Sequence, residues 1–261
     1  MKINRLILSV VVAVFGFLHQ CEAYSILNSA ESFAVLGGST VTSTGHTVLN
    51  GNLGVYSGTA YTGFGPGIVN GTIYAGDSIA HQAQIDLAAA YNALDSEAYT
   101  EDLTGQDLGG MTLGAGVRNF STSAQLTGIL TLDAHGDSNA RFDFLIGSTL
   151  TTASSASVYL INGAQADNVF WQVGSSATFG ADTLFYGSIL AQTSITMITG
   201  ADIFGRALAM NGAVTMDDNL ITVPADAIET PEPATFWLFG TCIIVFGFWQ
   251  RLAVRCRAVS V

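Results

Sequence analysis

From residue 169 to residue 216 the chain reads VFWQVGSSATFGADTLFYGSILAQTSITMITGADIFGRALAMNGAVTM. One apolar strand starts at Val169, a second at Leu184, 15 residues later, and a third at Ile203, 19 residues further on. Within these units a shorter strand recurs, in which a threonine has an apolar residue on each side: Ala177-Thr178-Phe179, Ile195-Thr196-Met197 and Val214-Thr215-Met216. Because side chains alternate across a strand, burial of the flanking residues turns the threonine outward. Repeated units of unequal length predict an irregular β-solenoid.

The predicted solenoid brings these threonines together. Stacked coils would place Thr178, Thr196 and Thr215 in one column, with rungs roughly 4.8 Å apart. Thr151, which follows Leu150, and Thr127, which follows Leu126, extend the predicted column. The alternative interpretation is an antiparallel sandwich that carries the threonines on its wet faces.

Four Asn-Gly pairs mark tight turns, since this dipeptide favours positive φ. A single pair would indicate a hairpin, but four pairs that follow apolar residues are more typical of coil corners. They are Asn50-Gly51, Asn70-Gly71, Asn162-Gly163 and Asn211-Gly212.

One segment has helical rather than strand spacing. From Asp77 or Ser78, either of which can cap a helix, to about Ala98, apolar residues recur on one face. They are Ile79, Ala83, Leu87, Ala90, Tyr91, Leu94 and Ala98. A single helix cannot bury this stripe by itself, so we expect it to lie along the solenoid. The predicted fold is mainly β, a solenoid with one long helix alongside and hydrophobic targeting helices at both termini.

The N-terminal segment has the features of a secretory signal. Lys2 and Arg5 precede an apolar run from Leu6 to Leu18, and Cys21-Glu22-Ala23 then offers small residues at the two positions that a signal peptidase reads. Residues 1–23 are therefore predicted to be a signal peptide that signal peptidase removes. The body, residues 24–230, is long enough for one core and contains no cysteine, which excludes a disulfide framework.

The body is strongly acidic. Five of the eight basic residues lie in the two tails, which leaves 18 acidic residues against 3 basic ones and a net charge of −15 over residues 24–230. Such a surface repels nucleic acid and anionic membrane, and we expect contact with a membrane only through the tails.

The C-terminal segment has three parts: Pro231-Glu232-Pro233, an apolar run from Phe236 to Trp249, and a basic end containing Arg251. The run of 14 residues is shorter than the roughly 17–25 that span a bilayer, which favours a transient anchor over an ordinary one. Residues 231–261 resemble the PEP-CTERM sorting tail of Gram-negative bacteria. The resemblance implies cleavage by an exosortase-type protease, transient anchoring in the inner membrane, and secretion or display on the cell surface.

Enzymatic chemistry has little support in the sequence. The body histidines, His46, His81 and His135, do not have the spacing of metal ligands, and no G-x-S-x-G elbow is present. Asp217-Asp218-Asn219 offers oxygen ligands for calcium but lacks a full loop pattern. We therefore predict no enzyme, catalytic residue, metal or cofactor. An aromatic set is predicted to pack mainly in the core: Phe170, Trp171, Phe185, Tyr186 and Phe204.

Three stretches carry a further resemblance: the opening Ser32–Leu36, the segment Val69–Asp77 before the helix, and Gly136–Ala153. They resemble the secreted ice-binding (antifreeze-like) protein family of bacteria, fungi and diatoms. Asn168–Thr178 is the most specific match, and the likeness extends from Ser29 to Thr222. It implies a right-handed β-solenoid with a helix alongside, which adsorbs to ice or ordered water through one flat face.

The resemblance also suggests where ice would bind. Family members often carry Thr, a small residue, any residue, then Thr or Asn at successive corners. The nearest stretches here are Thr152–Ser155, Gly180–Thr183 and Thr199–Asp202, which depart from that pattern at one end. An acidic side chain in the plane, Asp182 or Asp202, would weaken ice binding. The predicted ice-binding residues are Thr151, Thr178, Thr183, Thr196, Thr199 and Thr215.

A second function fits the same fold. Sorting tails of this kind are associated with bacteria that produce exopolysaccharide. The alternative is therefore an adhesive or structural protein of the extracellular matrix or envelope, with exopolysaccharide as its partner and no activity on ice.

Overall fold

The structure is a computed structural model that describes residues 26–224. The predicted signal peptide, the sorting motif Pro231, Glu232 and Pro233, and the targeting helices lie outside these residues. Within residues 26–224 no helix is long and apolar enough to cross a membrane.

The described chain is a β-solenoid with three faces, and its strand pairs are parallel. Parallel pairing confirms the solenoid and excludes the antiparallel sandwich, because neighbouring antiparallel strands would run in opposite directions. The first face is a separate seven-stranded sheet, named here the threonine sheet. It consists of β2 (Thr40–Thr44), β5 (Ala60–Thr62), β11 (Ala124–Leu126), β14 (Leu150–Thr152), β17 (Ala177–Phe179), β19 (Ile195–Met197) and β21 (Val214–Asp217).

The other two faces are joined into one larger sheet by two long strands, β18 (Leu184–Ala191) and β20 (Asp202–Ala209). The second face contains β3 (Val48–Asn50), β6 (Ile68–Val69), β9 (Thr112–Leu113), β12 (Ile129–Asp133), β15 (Ser157–Ile161) and β22 (Leu220–Thr222). The third face contains β1 (Phe33–Gly37), β4 (Asn52–Val55), β7 (Ile73–Ala75), β8 (Glu101–Asp102), β10 (Gly116–Phe120), β13 (Phe142–Ile146) and β16 (Val169–Val173). Short 3-10 turns lie at Asn28–Ser32 and Ala166–Asn168.

The coils do not stack in sequence order. In the threonine sheet the order is β11-β14-β17-β19-β21-β2-β5, so the two N-terminal coils lie beyond the last C-terminal one. The helix α1 (Ser78–Asp95) connects the N-terminal coils to β8 at the opposite end of the stack. The chain then returns coil by coil until β21 pairs with β2.

Glycines form the corner where β18 and β20 pass from the second face to the third. Gly187 and Gly205 pair with each other and have φ angles of +111° and +151°. A Cβ added to Gly205 would lie 1.9 Å from the Gly187 carbonyl oxygen. Only glycine fits this corner, because both the backbone conformation and the available space exclude a side chain.

The helix lies along the solenoid, as predicted, and covers its third face. Asp77 caps it by accepting hydrogen bonds from the backbone N–H groups of Ile79 and Ala80. Its buried residues are Ala80, Ala83, Leu87, Ala90, Tyr91 and Leu94, which pack against outward-facing side chains that include Leu36, Leu145, Phe170, Leu190 and Leu208. The prediction was wrong for Ile79 and Ala98, which are exposed. Ala80 takes the place of Ile79 on the buried stripe, and Ala98 lies beyond the last helical residue.

Candidate functional site

The threonine sheet carries an unbroken column of threonines on its outer surface. Its register pairs Thr151 with Thr178, Thr178 with Thr196, and Thr196 with Thr215. Two further rungs, Thr42 and Thr62, continue the column beyond Thr215. The predicted alignment of Thr151, Thr178, Thr196 and Thr215 is therefore confirmed, and the column has six rungs.

Sequence reasoning missed Thr42 and Thr62 as members of the column. Thr42 lies between Val41 and Ser43, and Thr62 lies between Tyr61 and Gly63, so neither has apolar residues on both sides. Their place is set by the pairing of β2 with β21, which joins residues more than 170 positions apart in the chain. No local pattern encodes that contact.

The side chains that alternate with these threonines fill the solenoid interior. Residues before the threonine, such as Leu150, Ala177 and Ile195, are buried, as are residues after it, such as Phe179 and Met197. Packing on both sides holds each threonine backbone in place. Adjacent hydroxyls come close enough to interact, since the Thr42 hydroxyl donates to that of Thr215 over 3.3 Å.

A second row, two residues before each residue of the column and at or just before the start of each strand, is small and uncharged. It consists of Ser123, Thr149, Ser176, Ser194, Ala213, Thr40 and Ala60. Within this row the Thr149 hydroxyl donates to the Ser123 hydroxyl over 2.8 Å. Between the rungs of Thr151 and Thr62, neither row carries a charge. These two rows therefore present methyl and hydroxyl groups without a carboxylate or an ammonium to reorganise the adjacent water.

The column ends at Gln125, which pairs with Thr151 where the prediction placed Thr127. Asp107 occupies the next rung beyond Gln125. Thr127 instead donates its hydroxyl to Asp107 over 2.7 Å. Burial pushes the pKa of Asp107 up, but hydrogen bonds from Thr127 and the Gly109 backbone outweigh it and leave that pKa below its ordinary value. A carboxylate that is ionised at neutral pH therefore bounds this end of the column.

The prediction that Thr183 binds ice is wrong, because its side chain is only 1% exposed. Its hydroxyl is 2.7 Å from the Gly180 carbonyl oxygen, to which it donates, and 2.9 Å from the Thr152 hydroxyl. Thr152 is buried as well and accepts from the Gly180 N–H. Both threonines satisfy backbone groups inside the corner and cannot reach a ligand in solvent.

Thr199 is exposed but lies in a turn beside the column, where its hydroxyl donates to Asp217. Asp217 also accepts the Thr44 hydroxyl over 2.7 Å. These hydrogen bonds, that of Thr199 first, hold the pKa of Asp217 below its ordinary value. Asp217 follows Thr215 by two residues on β21, so it is the carboxylate at the edge of the threonine sheet, and threonine hydroxyls occupy its oxygens.

The corner after the threonine sheet requires left-handed backbone in successive coils. Ser155, Asp182, Gly200, Asp218 and Gly45 have φ angles of +58°, +57°, +73°, +51° and +69°. Of the residues that depart from the Thr-containing corner pattern, Ser155 has this left-handed backbone, whereas Gly180 and Asp202 do not. Asp202 is not in the plane of the threonines, because it pairs with Leu184 on the second face. Asp182 is exposed at the corner itself.

The described residues contain no group of three or more His, Cys, Asp and Glu side chains that could hold a metal ion. The residues considered as calcium ligands make hydrogen bonds within the chain: Asn219 accepts the Asp217 N–H, and Asp218 accepts the His46 N–H. His81 stacks on Tyr56 with ring centroids 4.3 Å apart. These groups stabilise turns and the start of the helix.

The predicted aromatic core is confirmed for Phe170, Trp171 and Phe185, which are buried. Tyr186 and Phe204 are on the outside of the second face and are partly exposed. Their rings stack on each other at 5.2 Å with an interplanar angle of 14°. Each ring therefore covers one face of the other.

Comparison with known proteins finds one family. Residues 35–222 match the family model described as Ice-binding-like. The chain is 56% identical to an ice-binding protein of Nostoc sp. (strain HG1), over 96% of this chain and 98% of that protein.

Solved structures agree with this match. An ice binding protein from an Antarctic biological consortium aligns with a TM-score of 0.74 and 46% identity, covering 75% of this chain and 89% of that one. The ice-binding protein of the Antarctic ascomycete Antarctomyces psychrotrophicus aligns with a TM-score of 0.75 and 41% identity, covering 77% of this chain and 98% of that one.

Proposed function

Because the chain belongs to the Ice-binding-like family, we propose that it binds ice and that the threonine sheet is the surface that does so. The observation that carries the proposal is the column of six threonines in register, without a charged residue between Thr151 and Thr62.

The chemistry of the column suits ordered water. Each threonine offers a hydroxyl, which donates and accepts hydrogen bonds, beside a methyl group, which does not compete for water. Rungs about 4.8 Å apart repeat these groups at a fixed interval along the sheet. A rigid surface has little conformational entropy to lose when it adsorbs, since the backbone is already held by the sheet and the core. Binding is then adsorption by complementarity and includes no catalytic step.

The cellular setting of the proposal rests on the sequence of the two tails. Signal peptidase would release residues 1–23, and an exosortase-type protease would process the segment that contains Pro231, Glu232 and Pro233. The protein would then act outside a Gram-negative cell, secreted or at its surface, after transient anchoring in the inner membrane. Binding to exopolysaccharide stays a prediction from the tail.

A recrystallisation assay tests the proposal. The purified protein should keep ice grains small during annealing at a temperature just below melting. Thr196→Tyr should raise the protein concentration that is needed by at least about tenfold, since a loss of ~1.4 kcal/mol in adsorption has that effect. The reason is that a ring in the middle of the column lifts the neighbouring rungs off the ice.

Thr131→Tyr is the matched control, because Thr131 is an outward-facing threonine on the second face. It should leave the activity unchanged. Equal loss of activity in both variants, or unchanged activity in Thr196→Tyr, would refute the assignment of the face. Wild-type protein that lets ice grains coarsen like a buffer control would refute ice binding itself.

A further inference from the structure

The two ends of the solenoid core differ in how far their inward side chains are exposed. At the end that contains β8 and β9, the inward side chains Leu103, Leu108 and Leu113 are only 2%, 0% and 9% exposed. Loops and neighbouring side chains therefore close the core at that end.

The opposite end, formed by β5, β6 and β7, is open. Tyr61 pairs with Val41, and Ile73 pairs with Leu53, so both continue inward columns whose previous members are fully buried. Yet Tyr61 is 42% exposed and Ile73 is 36% exposed. Phe64 and Val69 pack against the core from the same coil and are also only partly buried. Among residues 26–224, nothing therefore covers the last layer of the core on its outer side.

The strands at this end also have unpaired backbone edges. β5 is the last strand of the threonine sheet, β6 ends the path of the larger sheet, and β7 pairs with β4 alone. Within residues 26–224, none of the three has a strand on its outer side. Unpaired strand edges with apolar side chains are the usual template for pairing with another chain.

The segment that forms the open end also carries no charged residue. Residues 32–76, which include all of β1 to β7, contain no Asp, Glu, Lys or Arg, whereas the body carries 18 acidic residues. The first carboxylate after this segment, Asp77, is engaged in capping the helix. Most other approaches between two copies would bring acidic surfaces together, which costs free energy at a net charge of −15. At the open end, two copies can meet without that repulsion.

We propose that the open end, defined by Tyr61, Phe64, Val69 and Ile73, binds the same end of a second copy of this chain. The contact would cover the exposed core layer and give the edges of β5, β6 and β7 partners. The column of threonines ends at Thr62 on this coil, so the columns of both copies would reach the junction. The inference does not depend on ice binding.

Sedimentation equilibrium of the purified protein tests the proposal over a range from low micromolar to several hundred micromolar. We expect a monomer–dimer equilibrium that shifts toward dimer when salt screens the acidic bodies. Tyr61→Asp should raise the dimer dissociation constant at least about tenfold, because it buries an unpaired carboxylate at the contact. Ile129→Asp is the control: it makes the same change of charge at an apolar residue that is 52% exposed on the second face.

Ile73→Lys provides a second variant in case Tyr61→Asp does not fold, which thermal unfolding monitored by circular dichroism reports. It should weaken the dimer in the same way. A wild-type protein that stays monomeric at every concentration and salt level overturns the proposal. So does an equal shift in the Ile129→Asp control. A chain that dimerises only after residues 225–261 are removed would assign the open end to its own tail and would likewise overturn the proposal.

Discussion

At the scale of single residues, threonine has two different roles in this molecule. Thr178 and Thr196 lie outward between buried neighbours, and their hydroxyls are available to water. Thr183 lies in the corner that follows β17, and its hydroxyl donates to the backbone carbonyl of Gly180. The difference comes from burial and not from residue type, so it determines which substitutions should affect ice and which should affect stability.

Thr183→Val should therefore reduce stability and spare ice activity. The substitution keeps the shape but removes the donor to Gly180 and the partner of Thr152, a loss of about 1–3 kcal/mol for buried polar groups. Thermal unfolding should show a lower Tm, while inhibition of recrystallisation at low temperature stays at the wild-type level. An unchanged Tm together with lost activity would show that Thr183 contacts ice after all.

Asp143 should make stability depend on pH. Burial raises its pKa to about 7; the Arg141 guanidinium, whose Nε lies 2.9 Å from a carboxylate oxygen, opposes this rise, and the Glu97 carboxylate adds to it. The unfolded chain has an ordinary carboxyl, with a pKa of about 3.9. Since the folded state holds the proton more tightly, this contribution is complete below about pH 4 and is lost as the pH rises through about 7.

The Tm of the wild type should accordingly fall between pH 5 and pH 8. Asp143→Asn should flatten this slope, because the amide does not titrate. Thermal scans of both proteins across this pH interval provide the measurement. Identical slopes would mean that Asp143 is already ionised at pH 5 in the folded protein.

At the scale of strands and corners, the buried side chains of each strand determine how it aligns with its neighbours. The inward residues of the threonine sheet fix the register, and a shift of one residue would turn every threonine inward. The period-two pattern explains why four rungs of the column could be predicted from sequence. The corner residues could not be predicted in this way, because similar short motifs place them differently. Thr183 is buried, Thr199 lies at the edge of the sheet, and Asp182 has a left-handed backbone.

The corner glycines should tolerate no side chain. Gly205→Ala should cost about 2–4 kcal/mol, because it combines a strained φ with a Cβ that lies 1.9 Å from the Gly187 oxygen. Gly128→Ala is the matched control, since its Cβ would approach no atom closer than 3.6 Å and its φ is not in the left-handed region. Urea unfolding should separate the two variants. Equal midpoints would contradict the assigned corner geometry.

A substitution at the end of the threonine column should increase ice activity. Gln125 occupies the rung before Thr151, so Gln125→Thr would lengthen the row from six threonines to seven. The concentration needed to inhibit recrystallisation should fall. Gln192→Thr introduces the same residue at an exposed position outside the column and should have no effect. A decrease in activity for Gln125→Thr would argue that glutamine itself belongs to the contact.

At the scale of the whole molecule, the long-range topology produces the recognition surface. The described part of the chain starts in the middle of the stack, builds two coils outward, crosses to the far end through α1 and returns. Thr42 and Thr62 join the column only because the last coil pairs with the second strand. Sequence periodicity identifies the coils but cannot order them, since the pairing of β2 with β21 depends on closing the stack and not on neighbouring residues.

Partition of the protein into growing ice tests the central claim most directly. A solution is frozen slowly onto a cold surface, and the protein in the ice is compared with that left in the liquid. Wild type and the double variant Thr112→Tyr and Thr131→Tyr, on adjacent rungs of the second face, should enter the ice. The double variant Thr178→Tyr and Thr196→Tyr, on adjacent rungs of the threonine sheet, should stay in the liquid. If that variant enters the ice as wild type does, the threonine sheet is not the surface that binds ice.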